Sequence, residues 1–216
     1  MDEIVVRLTR ALASRPRLRV LSWLSLHGET APTLLADRLK LSLNVLSSHL
    51  RTLSSVGLIQ GRRSGAKCYY DFRSPYGEQT FSGGMSRWLK GLLKAVDGRK
   101  DNCELREVRN YPPCAQQPAL HAVIFEAATA FTDLRRLQIL RHLETSGRAT
   151  VEELVVQLRM SAFAVSRQTA KLRRRGFLEA RQKAGRQLVF RLAGNAKTPI
   201  HGRMLEIVRA TWRKKT

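Results

Sequence analysis

The stretch Leu41-Ser-Leu-Asn-Val-Leu-Ser-Ser-His-Leu-Arg-Thr-Leu53, closed at Gly57, decides the fold. A serine at Ser42 can accept a hydrogen bond from a backbone N–H of the first helical turn, and a glycine at Gly57 tolerates the left-handed backbone at which helices end. Between them Leu46, Leu50 and Leu53 recur at helical spacing and face a core. Leu43, Asn44, Ser47, Ser48 and Arg51 are left on the outward face. Upstream, residues 33–40 read as a short helix introduced by Thr30 and joined to this one by a tight turn. Residues 4–13 and 17–26 read as two further helices, the second ending at Gly28. Downstream the apolar period changes to two. Residues 58–63, a Ser64-Gly65 turn and residues 67–72 form a predicted β-hairpin, followed by a helix over 85–96.

The series occurs again. An offset of 119, from Leu18 to Leu137, also brings Leu24 onto Leu143, Gly28 onto Gly147, Ser42 onto Ser161, Leu53 onto Leu172 and Gly57 onto Gly176. One extra residue then brings Gly65 onto Gly185 and Tyr70 onto Phe190, as a hairpin tip of different length would. The second series predicts helices over 119–131, 134–144, 151–159 (introduced by Thr150), 162–175 (capped by Ser161) and 203–213. Its hairpin is formed by 177–182 and 186–192. The expected fold class is mainly α with small β-hairpin wings. Its domains are 1–96 and 118–216, joined by a linker over 97–117 in which Pro112-Pro113 suggests an extended connector.

Charge narrows the function classes. The 216 residues carry 39 Lys+Arg against 17 Asp+Glu, a formal charge of +22, so the surface attracts polyanions. The arginines recur from Arg7 to Arg213 rather than on one amphipathic helix, which argues against a membrane-surface role. No run is apolar enough to span a bilayer, and the acidic start Met-Asp-Glu is unlike a signal peptide, so a cytoplasmic location is expected. Cys68, Cys103 and Cys114 are too few and too irregular for a disulfide framework.

The segment from Leu41 to Leu53 with Gly57-Leu-Ile, and the basic hairpin Arg62-Arg-Ser-Gly-Ala-Lys-Cys-Tyr-Tyr70, resemble the winged helix-turn-helix of ArsR-type bacterial regulators. Met160-Ser-Ala-Phe-Ala-Val-Ser-Arg-Gln-Thr-Ala-Lys-Leu172 with Gly176-Phe-Leu is similar to the same family and its MarR-type relatives. The resemblance implies a transcriptional regulator, a repressor, binding double-stranded DNA. It departs from the family in carrying two units per chain, since such regulators generally carry one and dimerise through their first and last helices. The expectation is therefore an intramolecular pseudo-dimer, with residues 4–13 and 85–96 packed on 119–131 and 203–213 through Ile4, Val5, Leu8, Trp88, Leu89, Leu92, Val123, Ile124, Ile207 and Val208. Further association of two chains stays open.

A recognition helix reads base edges in the major groove from its N-terminal turns. In the second unit Val165, Thr169 and Leu172 take the inner face, leaving Ala162, Phe163, Ser166, Arg167 and Ala170 outside. Asn44 suits adenine, Arg167 guanine and Phe163 a thymine methyl, and none of the three has a like residue in the other unit. Two unlike half-sites follow. The expected DNA-binding residues are Ser42, Asn44, Ser47, Ser48, Arg51, Arg62, Arg63 and Lys67 in the first unit. In the second they are Ser161, Phe163, Ser166, Arg167, Lys171, Arg181, Lys183 and Arg186. Arg173-Arg174-Arg175 complements the negative end of its helix dipole.

Other readings stay open beside these. Any single arginine can be a solvated surface residue, and Phe163 can equally be buried against a neighbouring helix. His49 reads as a packing or hydrogen-bonding residue, and Trp23, Trp88 and Trp212 as core or interface. Cys103 and Cys114 admit zinc or a redox switch, but incidental cysteines are the expectation, with no metal and no cofactor. No Walker loop, dinucleotide fingerprint or nucleophile elbow is present, so an enzyme is not expected. The charge alone would also suit a nonspecific architectural nucleic-acid binder.

Overall fold

The computed structural model of the chain describes residues 1–97, 103–182 and 187–213. The first half runs α1 (Asp2–Leu12), α2 (Arg15–His27), α3 (Pro32–Leu39), α4 (Leu43–Ser55), β1 (Gln60–Ser64), β2 (Lys67–Asp71) and α5 (Phe81–Asp97). Two 3-10 turns follow, at Cys103–Leu105 and Val108–Asn110. The second half runs α6 (Pro113–Thr129), α7 (Leu134–Ser146), β3 (Ala149–Thr150), α8 (Val151–Leu158), α9 (Ala162–Arg174), β4 (Leu178–Gln182), β5 (Leu188–Leu192) and α10 (Pro199–Arg213). The fold is mainly helical with small antiparallel hairpins. No described helix is long and apolar enough to cross a membrane.

Shifting α2, α3 and α4 by 119 reproduces the bounds of α7, α8 and α9 residue for residue. The backbone agrees at the turns. Lys40 (φ 55°) and Arg159 (φ 50°), which end α3 and α8, are the two non-glycine residues with positive φ among those described. Each holds a left-handed conformation that L-residues adopt at some cost. That reversal sets α3 at its angle to α4, and α8 to α9.

Each half packs its helices over a leucine-rich core. Leu18, Leu21, Leu24, Leu35, Leu46, Leu50 and Leu53 are buried in the first half, and Leu137, Leu140, Leu143, Leu154, Val165 and Leu172 in the second. β1 and β2 pair antiparallel with Arg62 opposite Tyr69 and Arg63 opposite Cys68. In the second half the strand order is β3-β5-β4, with Ala149 opposite Phe190. The first half keeps only a single bridge at the matching place, Thr30 to Tyr70.

That bridge corrects the expected cap. Thr30 does not introduce α3. Its backbone bonds Tyr70 in both directions, its hydroxyl donates to Gly28 O at 3.0 Å, and Ala31 caps the helix with Pro32 in the first turn. Thr150 serves both the sheet and the cap. Its Oγ1 accepts from Glu153 N at 3.2 Å while Glu153 Oε2 accepts from Thr150 N at 2.7 Å, a capping box.

The connector differs from expectation as well. Pro113 lies in the first turn of α6, where a missing N–H costs nothing, so Pro112-Pro113 starts a helix. The preceding turns are anchored by Leu105 and Val108, both buried, against α5, α6 and α10. Between the halves α1 packs on α6 and α7, α2 on α6, and α5 on α6 and α10. Val5, Leu8, Leu89, Leu92, Ile124 and Val208 are buried as expected, Trp88, Val123 and Ile207 are half-buried, but Ile4 is 48% exposed. Arg10 Nε donates to Thr132 O at 2.8 Å across the same seam.

Candidate nucleic-acid interface

α4 and α9 begin in the same way. Ser42 Oγ accepts from Val45 N at 3.3 Å, and Ser161 Oγ from Ala164 N at 3.2 Å, each serine in extended backbone near φ −68° and −67°. These bonds use each hydroxyl as an acceptor, which caps the helix. Past the cap, the apolar spacing turns Leu46, Leu50 and Leu53 of α4 inward and leaves Leu43, Asn44, Ser47, Ser48 and Arg51 exposed, joined by Val45.

α9 presents a different face. Ala162, Phe163, Ser166, Arg167 and Ala170 are exposed and Lys171 is half-buried. Phe163 is 76% exposed, which rejects burial against a neighbouring helix, and the Arg167 guanidinium lies 5.9 Å from its ring centroid. An aromatic ring held in water one turn from a guanidinium gives a flat apolar surface beside a forked donor.

Beneath this face lies a polar network the spacing did not reveal. Gln168 is fully buried, accepting from Arg136 Nη1 at 3.2 Å and donating to Asp133 Oδ2 at 3.3 Å. Arg136 also donates to Ala130 O at 2.9 Å and Thr132 Oγ1 at 2.7 Å, so α9 is tied to α7 and to the end of α6. The first half repeats the anchor alone, with Arg17 Nε donating to Ala11 O at 2.6 Å. There His49 stands in place of Gln168, half-buried, and burial together with the Arg17 charge pulls its pKa below the usual imidazole value.

The wings flank these helices. Arg62, Arg63 and Lys67 are all exposed on the β1–β2 hairpin. Arg62 is held by Glu29 through two bonds of 2.9 and 2.8 Å, and its guanidinium lies 5.9 Å from the Tyr69 ring centroid. That pairing holds the Glu29 carboxyl below its ordinary pKa. Glu29 was missed because the contact depends on the Thr30–Tyr70 bridge. Arg181 is exposed on β4, whereas Lys183 and Arg186 lie outside the described residues. Between α9 and β4 a cleft of about 570 Å³ is lined by Ala170, Arg173, Arg174, Glu179 and Arg181. Glu179 is engaged by Arg191 and by Gly194 N, so its charge is answered and the cleft keeps its excess of arginines.

Elsewhere, Cys103 and Cys114 are exposed free thiols and Cys68 is half-buried. Among the described residues no group of three or more His, Cys, Asp or Glu could hold a metal ion.

No protein-family model matches the chain. It is similar to an HTH-type transcriptional regulator of Mycobacterium tuberculosis, 38% identical over 66 residues, which are 31% of this chain and 29% of that protein. The match thus spans less than a third of the relative's length. Two solved structures from Mycobacterium bovis are also similar. One is a homodimeric winged helix-turn-helix DNA-binding domain of a possible ArsR-family transcriptional regulator, 29% identical, covering 46% of this chain and 83% of that one at a TM-score of 0.35. The other is a possible transcriptional regulatory protein, 30% identical, covering 44% of this chain and 92% of that one at the same TM-score. The first of these relatives is a transcriptional regulator and the two solved structures are of possible ones.

Proposed function

We propose that the chain is a sequence-specific, double-stranded-DNA-binding transcriptional regulator, a repressor acting by occupying its site, and that its two halves are fused copies forming an in-chain pseudo-dimer. The observation that carries this reading is the pair α4 and α9. They have identical lengths and matching serine caps, each follows a left-handed turn, and each is followed by a hairpin, yet the faces they expose differ.

On this reading Asn44, Ser47, Ser48 and Arg51 read one half-site, and Phe163, Ser166, Arg167 and Lys171 the other, about 10 base pairs away. The caps Ser42 and Ser161 set the approach of each helix. Arg62, Arg63, Lys67 and Arg181, with Lys183 and Arg186, supply phosphate contacts that set affinity without sequence preference. The apolar seam from Val5 and Leu8 to Ile124 and Val208 holds the two helices at a fixed spacing, in the cytoplasm and without a second chain.

Selection of sites from random duplex DNA by the purified chain tests this. An enriched, asymmetric site bound about a thousandfold more tightly than scrambled DNA is expected. A perfectly palindromic site would reject the unlike half-sites. Binding with no enriched motif, set only by salt, would favour the architectural reading that the +22 charge supports.

A further inference from the structure

A cleft of about 890 Å³ opens between α1, α5 and α10, walled by Ile4, Val56, Phe81, Trp88, Ile207 and Ala210. Val56 is the C-cap of α4, so whatever fills the cleft touches the end of that helix. The charges at the rim are unequal. Arg87 pairs with Glu78 and Arg203 with Glu206, whereas Arg7, which also lines the cleft, has no partner among the described residues.

Comparison with the other half sharpens the point, and this step rests on reading the halves as copies. Ile4 and Arg7 of α1 then correspond to Val123 and Glu126 of α6. On that side too a cleft opens, of about 740 Å³, lined by Val123 and Glu126 of α6 and by Val108 and Tyr111 of the connector. The charge there is answered by Lys197 Nζ, 2.6 Å from Glu126 Oε1. On that flank the residue at the place of Arg7 is thus acidic and paired. On the α1 flank the cleft is apolar and Arg7 is without a partner among the described residues.

We propose that the open cleft binds an amphipathic organic anion, a medium-sized aliphatic or aromatic body with one carboxylate. The body is buried against Trp88, Phe81 and Ile207, and the carboxylate meets the Arg7 guanidinium. An apolar pocket with one placed charge orients such a molecule by a single directional contact while burial supplies the affinity.

The test uses the full chain without DNA, so its outcome is independent of any operator. The fluorescence of 1-anilinonaphthalene-8-sulfonate is titrated in about 0.3 M salt, where diffuse attraction to the basic surface is screened, and octanoate and octanol compete for the probe. One saturable site is expected, with octanoate displacing the probe about fivefold better than octanol, a preference of the size one partly exposed ion pair supplies. Arg7→Gln should abolish that preference and leave octanol unchanged. Ala210→Trp should block both competitors at an unchanged melting temperature, and if it unfolds the chain, Arg7→Gln still decides. The proposal is overturned by the absence of a saturable site, by equal competition, or by a preference that survives Arg7→Gln. Sedimentation showing that a second chain covers the cleft and excludes the probe would overturn it too.

Discussion

Ser22 Oγ and His121 Nε2 lie 2.6 Å apart in the buried seam between α2 and α6, a side-chain link between the two halves of the chain. Burial first, and the Arg19 charge second, push the His121 pKa down to about 4. His201, fully buried and bonded to Thr198 Oγ1 at 2.8 Å, is also pushed down to about 4, by burial and by Lys197 and Arg175, with Glu126 opposing.

Both imidazoles are therefore neutral in the folded chain and protonate in the unfolded chain below its ordinary value near 6.5. Stability is full above about pH 6.5 and declines as pH falls from there toward 4, by up to about 3 kcal/mol for each group. Denaturant titrations at pH 7 and pH 4.5 measure the loss. His121→Gln, which keeps a partner for Ser22, should remove its share of the slope, and an unchanged slope would count against the assignment.

Arg136 is 5% exposed and serves three acceptors, while Arg17 at the matching place is half-buried and serves two carbonyls. Arg136→Ala should cost about 2–4 kcal/mol in a denaturant titration, because it strands buried Gln168 as well as the Ala130 carbonyl. Arg17→Ala should cost less. Equal losses would mean that Gln168 finds another partner.

Arg167 and Arg62 should separate specificity from affinity. Arg167→Ala is expected to cost about 1–3 kcal/mol on the selected site and to relax preference at one base pair of one half-site. Arg62→Ala should weaken binding to all sequences alike and lower the salt slope by about one. Binding measured on the selected site and on scrambled duplex at two salt concentrations reads both.

Gly147 and Gly176 share a positive φ, 73° and 71°, but not their surroundings. A Cβ at Gly147 meets nothing within 4 Å, whereas one at Gly176 falls 2.7 Å from Lys197 Cβ. Gly147→Ala should cost about 1 kcal/mol from backbone strain alone, and Gly176→Ala at least about 1 kcal/mol more, by thermal unfolding.

Element order, the two serine caps, the glycine helix ends and the inward leucines of α4 are all local properties, set by spacing and by the backbone preferences of single residues. They were legible from residue order. So were the unlike outward faces of α4 and α9, because helical periodicity assigns a face without knowledge of what packs there. Thr30 misled for a local reason, since two uses compete for one threonine and only the reach of Tyr70 decides between them.

What residue order left open depends on approach from a distance. Gln168 lies on the inward stripe between Val165 and Leu172, where its polar side chain argues against burial, and only Arg136 and Asp133 arriving from outside α9 make that burial tolerable. Pro112-Pro113 is compatible with a coil or with a helix start, and the buried anchors Leu105 and Val108 select the helix. Ser22 with His121, Glu29 with Arg62, and the open cleft beside Arg7 exist only where segments far apart in the chain converge. The sequence by itself determined which helices form and which faces they turn to water. The tertiary structure decided which polar groups are paired, because pairing depends on distances between elements that no local spacing sets.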